Sequence, residues 1–134
     1  MSSRHPYHRP RTKATKRPEQ VLQRSVGQFL DLALPSNAIW LHYPSGGFRR
    51  PVEAKIFRAL GVRAGVPDLL VVYEGGAYGI ELKASGRGLT PVQRAMHARL
   101  EACGVPCAVA QTVDEVAAFL APHIPLRARP GGRS

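Results

Sequence analysis

The stretch from Leu69 to Lys83 constrains this chain more than any other. Leu69-Leu70-Val71-Val72-Tyr73 is a nearly continuous apolar run with the β-branched and aromatic character of a strand. Glu74-Gly75-Gly76 supplies turn residues, and Tyr78–Lys83 returns as the partner strand. A hairpin this apolar is marginal alone and needs a sheet and helices around it.

Two registers are open. If Glu74-Gly75 forms a two-residue turn, Asp68 lies opposite Glu81; if the loop is Glu74–Ala77, Asp68 lies opposite Lys83. Both registers put Asp68 on the same face as Glu81 and Lys83, because positions two apart on a strand share a face. Two acids and a lysine therefore converge at the open end of the hairpin. Like charges held close are unfavourable unless something offsets them. A divalent cation would do so, and carboxylate oxygens are what Mg²⁺ or Mn²⁺ prefers. A lysine beside them could orient or deprotonate a water for phosphodiester hydrolysis. The competing reading is a cross-strand salt bridge on a solvated sheet end, and geometry alone leaves both open.

The remainder of the chain supplies the cover. Leu22, Val26, Phe29, Leu30 and Ala33 recur at helical spacing, with Pro18 suited to the first position and Pro35 as the stop. Ala38–Tyr43 reads as a strand, and Pro51 opens a second helix that Gly61 ends. Thr90-Pro91 starts a third helix, with Val92, Met96, Leu100 and Cys103 expected inward and Gly104 just past its end. Pro106–Ala110 is a short strand, and Val113–Ala121 a last helix with Val116, Ala117 and Leu120 inward. The order α-β-α-β-β-α-β-α predicts an α/β fold, a mixed sheet of about four strands flanked by helices.

The 134 residues are enough for one domain. The net charge is +10, unevenly placed. Residues 1–18 carry six basic residues and no acid, and residues 127–134 three and none. Ten basic residues remain between Glu19 and Leu126, against all nine acids. The sequence therefore divides into a disordered basic tail over 1–17, a folded domain over 18–122 and a flexible basic tail over 123–134. Basic arms on a nearly neutral domain imply a polyanionic partner, most often nucleic acid. No run approaches the ~20 apolar residues of a membrane span, no secretory signal is expected, and two cysteines suit a reducing cytoplasm.

Gly65-Val66-Pro67-Asp68, a strand, a turn and Glu81-Leu82-Lys83 resemble the PD-(D/E)xK nuclease motif. The downstream Gly88-Leu89-Thr90-Pro91-Val92-Gln93 resembles the segment that follows it in the virus-type replication-repair nuclease (VRR-NUC) family. The resemblance runs from about Glu19 to about Val113. It implies a restriction-endonuclease-like core and a Mg²⁺ site, with Mn²⁺ able to substitute, on Asp68, Glu81 and the backbone carbonyl of Leu82. It makes Lys83 the catalytic lysine and brings Gln93 to the site. It offers Glu19, in the first helix, as a further metal ligand, with Gln23 one turn later. Ser45-Gly46-Gly47 departs from the Asn before glycines of many relatives. Small stand-alone members resemble dimeric endonucleases selective for branched DNA, of the four-way (Holliday) junction type, which implies a homodimer in the cytoplasm of a bacterium or a phage-infected cell and no small-molecule cofactor.

Several residues carry a second reading. Thr90-Pro91-Val92-Gln93 fits a capping box, which would give Gln93 a purely local task. Glu19 suits a helix N-terminus by charge alone. Glu53-Ala54-Lys55 also spells ExK, but in a helix positions two apart diverge. Cys103 and Cys107 lack zinc-site spacing and read as small buried residues. His5 and His8 are too few for a ligand set, His42 ends the first strand near Ser45 and is a candidate to approach the site, and His97 could face either solvent or the DNA side of its helix. Trp40 reads as core. Tyr43, Phe48, Arg49 and Arg50 around the glycine loop are candidates for nucleic-acid contact, as are Arg87 and Arg94 for phosphates. The main alternative function is a DNA-binding protein that keeps the nuclease fold without catalysis; an RNA-directed protein is a further one, since basic tails do not distinguish the two polymers.

Overall fold

A computed structural model describes residues 11–43, 55–56, 58–59, 61 and 63–131, the side chains being described from residue 18 onward. Seven elements follow in order: α1 (Arg11–Ala33), β1 (Ala38–His42), β2 (Leu69–Tyr73), β3 (Gly76–Leu82), α2 (Pro91–Ala102), β4 (Cys107–Ala110) and α3 (Val113–Leu120). Lys55, Ile56, Arg58 and Ala59 are helical too; the rest of the helix expected to open at Pro51 lies outside the described residues, as do Ser45–Gly47. The strands form one sheet in the order β1-β2-β3-β4. The first three are antiparallel neighbours, and β4 runs parallel to β3. The mixed sheet with flanking helices is the architecture that the sequence predicts.

Tyr73 pairs with Gly76, which selects the two-residue turn. Glu74 and Gly75 both have positive φ, 46° and 77°, the twist that a tight hairpin requires. One face of the sheet presents Leu69, Val71, Ile80 and Leu82 to the helices α1 and α3, with Val26, Phe29, Leu30 and Ala33 from α1 and Val116 and Leu120 from α3. Burying each of these side chains other than that of Ala33 contributes about 1.5–3 kcal/mol. Trp40 packs against this core as expected, and its indole N–H donates to Asp31 Oδ1 at 2.8 Å.

Both ends of the domain differ from the sequence reading. Helix α1 begins at Arg11 rather than at Pro18, which lies inside it. Arg, Lys and Ala are strong helix formers, so the run ahead of Pro18 extends the helix at the loss of one backbone hydrogen bond. The segment expected to be flexible from residue 123 is instead packed over its first part. Ile124 is fully buried, Leu126 and Ala128 lie against the core, and the Arg127 N–H donates to the Ala33 carbonyl at 2.7 Å. Ile124, Leu126 and Ala128 alternate with Pro125, Arg127 and Arg129, so the period of two is masked by the proline and the charge of the arginines. No helix among the described residues is long and apolar enough to cross a membrane.

Helix α2 lies on the other face of the sheet, where it joins β3 to the parallel β4. Its inward stripe is not the one that the apolar residues mark. Val92 is 56% exposed and Cys103 is exposed, Met96 and Leu100 are half-buried, and His97 is the buried residue of the helix. The reason lies in what the helix faces: β3 presents a carboxylate there, and a buried carboxylate requires polar partners.

Candidate functional site

Asp68 immediately precedes β2, and Glu81 lies near the end of β3. Continuing the β2–β3 register by one pair puts Asp68 opposite Glu81. Glu81 is only 3% exposed. Asp68 is anchored at both ends: its Oδ2 accepts the Leu82 N–H at 2.8 Å, and its carbonyl accepts the Tyr43 N–H at 2.8 Å. Lys83 continues the parallel ladder, its N–H donating to the Ala110 carbonyl at 2.9 Å. The acid, the acid and the lysine are therefore fixed by backbone ladders and not by loops.

Burial pushes the Glu81 carboxyl up to about 8, the neighbouring Asp68 carboxylate adds to the rise, and the Lys83 ammonium partly offsets it. Glu19, on α1, adds a smaller negative contribution, so the first helix does bring this residue within electrostatic reach of Glu81. Perturbed carboxylates of this kind gather at functional sites.

Gln93 resolves its two readings by performing both tasks. Thr90 caps α2 and the capping box is complete: the Gln93 N–H donates to Thr90 Oγ1 at 3.2 Å, and Gln93 Oε1 accepts the Thr90 N–H at 3.0 Å. That leaves the amide Nε2 free to donate to Glu81 Oε2 at 3.2 Å. The box locks the side chain, and the lock aims its donor at the carboxylate. One turn later His97, 4% exposed, places Nε2 at 3.8 Å from Glu81 Oε1. Sequence reasoning leaves this histidine unassigned; its position four residues after Gln93 is the signal that puts both on one helix face.

The GVPD segment has a packing reason for its glycine. At Gly65 φ is +82°, and a Cβ would stand 2.5 Å from the Val92 carbonyl oxygen and 3.1 Å from the Gln93 Cα. The loop thus runs against the first turn of α2, the turn that carries Gln93. Pro67 is fully buried against Gly79 of β3, where a Cβ would lie 2.8 Å from the proline ring. The motif seats α2 as well as supplying Asp68.

Comparison with solved structures decides the fold. One chain described as a VRR_NUC domain protein superposes with a TM-score of 0.56 at 23% identity, covering 78% of this chain and 84% of its own. A second, described as a VRR_NUC domain, gives 0.51 at 23% identity, covering 79% of this chain and 96% of its own. This chain has the VRR_NUC fold. Neither a family model nor a curated protein matches the sequence.

On the VRR_NUC fold the remaining sequence candidates divide. Arg87 is exposed in the loop after β3, and Arg94 is exposed on the first turn of α2 beside Gln93. Phe48, Arg49 and Arg50 lie outside the described residues. Tyr43, offered as a nucleic-acid contact, is engaged within the protein: its hydroxyl accepts the Arg63 N–H at 2.6 Å and donates to the Arg63 carbonyl at 3.3 Å. His42 approaches the backbone of the site and not its carboxylates, with Nδ1 3.1 Å from the Asp68 carbonyl and 3.0 Å from Gln23 Nε2. The cysteines are not both buried: Cys103 is exposed, and Cys107 is half-buried with its thiol pushed up to about 11 by burial. Among the described residues no three His, Cys, Asp or Glu side chains stand together as a metal-holding group. Asp68 and Glu81 are the paired side-chain donors, so a cation here would need backbone or solvent oxygens as well.

The raised Glu81 pKa has a stability consequence. In the folded protein the carboxyl keeps its proton up to about pH 8, whereas in the unfolded chain it ionises near 4.5. The folded state binds more protons across that window, so stability falls as the pH rises from about 4.5 to about 8 and levels off above it. Glu81→Gln keeps the shape without the charge. In EDTA the variant is expected to melt close to wild type at pH 5 and clearly above it at pH 9, read by thermal denaturation. The same gap at both values would contradict the assignment.

Proposed function

We propose that this chain is a metal-dependent DNA endonuclease of the VRR-NUC family, hydrolysing phosphodiester bonds at Asp68, Glu81 and Lys83. The observation that carries the reading is the buried Glu81 carboxylate opposite Asp68, held by the capping-box glutamine, on a VRR_NUC fold. A buried carboxylate held beside a second, half-buried one is a costly arrangement that a divalent cation offsets. Asp68, Glu81 and the Leu82 carbonyl are hard oxygen donors that fit Mg²⁺, with Mn²⁺ as a substitute; Glu19 does not join Asp68 and Glu81 in a three-carboxylate cluster and contributes from α1 through its charge. When bound, the ion supplies an acidified water and neutralises charge on the phosphate. Lys83 would orient the attacking water through its Nζ–H donors, and would accept the water's proton only as the neutral amine, having first given up its own. Gln93 holds Glu81 in place, and Arg87 and Arg94 bind flanking phosphates. Branched DNA, of the four-way junction type, is the preferred substrate, and a homodimer provides the two sites that paired cuts need.

Incubating the protein with labelled linear duplex, single-stranded, flap and four-way-junction DNA, in Mg²⁺, Mn²⁺ or EDTA, tests this reading. Cutting that needs metal and favours branched substrates is expected. Binding without any cutting would move the chain to the non-catalytic DNA-binding class, and a preference for RNA competitor at matched salt would redirect the substrate. Binding should also fall steeply with salt, as the charge of +10 requires. Arg94→Ala is expected to weaken binding to every DNA shape alike and to lower the salt slope by about one. A slope unchanged from wild type in a fluorescence-anisotropy titration would remove Arg94 from the interface.

A further inference from the structure

Two buried polar atoms have no hydrogen-bond partner among the described residues: Glu81 Oε1 and His97 Nε2. They face each other at 3.8 Å, in side chains that are 4% and 6% exposed. The separation is about 0.6 Å beyond the upper end of the N–H···O hydrogen-bond range, yet the two atoms are chemically complementary, a ring nitrogen and a carboxylate oxygen. The other oxygen of the same carboxylate already accepts from Gln93, one turn earlier on α2. Burying a polar atom without a partner is destabilising, and the contact between α2 and β3 holds two such atoms, one on each element. An apolar residue at position 97 would avoid the histidine's share of this, leaving only Glu81 Oε1 without a partner.

We infer that His97 is a positioning residue, whose Nε2–H closes onto Glu81 Oε1 when the site is loaded, so that α2 grips both carboxylate oxygens through Gln93 and His97. The imidazole acts as a neutral donor through Nε2–H. Each oxygen keeps a lone pair for the cation, while the two donors remove the rotational freedom of the carboxylate. Partners of this kind to a metal-ligating group typically change metal affinity 10–100-fold. The inference rests on the metal-site reading above.

Mn²⁺ binding by isothermal titration calorimetry, without DNA, tests it on the full chain. Three proteins are compared: wild type, His97→Leu and His97→Gln, whose amide nitrogen reaches about where Nε2 sits. His97→Leu is expected to melt without metal at or above wild type, since a partnerless buried atom is removed, and to bind Mn²⁺ at least tenfold more weakly. His97→Gln is expected to stay within about threefold of wild type. If leucine prevents folding, His97→Met, unbranched and without a donor, gives the same comparison. Equal Mn²⁺ affinity in the leucine or methionine variant would overturn the inference, as would a glutamine variant as weak as either. Wild type failing to bind Mn²⁺ would overturn the metal reading itself, a result distinct from either of those.

Discussion

Lys83→Ala is expected to bind Mn²⁺ and DNA as wild type does and to cut about a thousandfold more slowly. The backbone of residue 83 is held by its bond to the Ala110 carbonyl, which alanine keeps, so the end of β3 and the carboxylates of Asp68 and Glu81 stay in place. What is lost is the ammonium group beside Glu81. Its attraction partly counters the rise of the Glu81 pKa, so alanine should also move the pH at which Mn²⁺ binding sets in slightly upward. Positioning and proton handling together are worth several kcal/mol in such a step, which at 1.36 kcal/mol per tenfold is on the order of a thousandfold. Single-turnover cleavage with the variant saturating the substrate separates this from weak binding. Loss of DNA binding in step with loss of cutting would mean that Lys83 serves as a phosphate contact.

Gly65→Ala is expected to be the most damaging change outside the carboxylates. It places a side chain at φ +82° and drives a Cβ to 2.5 Å from the Val92 carbonyl. Left-handed backbone costs a non-glycine residue roughly 1–2 kcal/mol, and forcing a packed neighbour aside costs about 1–3 kcal/mol more. A loss of about 3 kcal/mol corresponds to roughly 10 °C in melting temperature for a domain of this size. The neighbour displaced is the first turn of α2, so Gln93 should draw away from Glu81 and Mn²⁺ affinity should fall with stability. Gly104→Ala provides the control: φ there is +88°, but a Cβ would meet open space. Its expected cost is the conformational part alone, about 1 kcal/mol, with Mn²⁺ affinity unchanged. Equal effects of the two substitutions would show that the close approach of the GVPD loop to α2 does not matter.

The legible parts of this chain are those where local pattern and tertiary structure agree. The apolar run Leu69–Tyr73 is a strand with those limits, because nothing else can be made of five such residues before a turn. The convergence of Asp68 with Glu81 follows from strand periodicity, whichever turn is chosen. The core faces of α1 and α3 follow from their 3.6-residue period. The illegible parts are those where polar residues are buried or apolar ones exposed for a local reason. The inward face of α2 carries Gln93 and His97 because β3 presents a carboxylate there, so ranking its residues by hydrophobicity selects Val92 and Cys103, which face solvent. Gln93 offers a choice between cap and site only while its amide is treated as one group; its oxygen and nitrogen serve different partners. Ile124 and Leu126 escape notice because charge and proline dominate their neighbourhood, although the core accepts them.

The most direct test of the central claim pairs wild type with Asp68→Asn on a labelled four-way junction, in Mn²⁺ and in EDTA, at protein concentrations that saturate binding. Asparagine can still accept the Leu82 N–H, so the hairpin end is preserved while the negative charge is lost. Cutting by wild type in Mn²⁺ only, with Asp68→Asn bound to the junction but inactive, is the expected result. Cutting by Asp68→Asn at the wild-type rate, or by wild type in EDTA, would contradict the assignment of the nuclease centre to Asp68, Glu81 and Lys83.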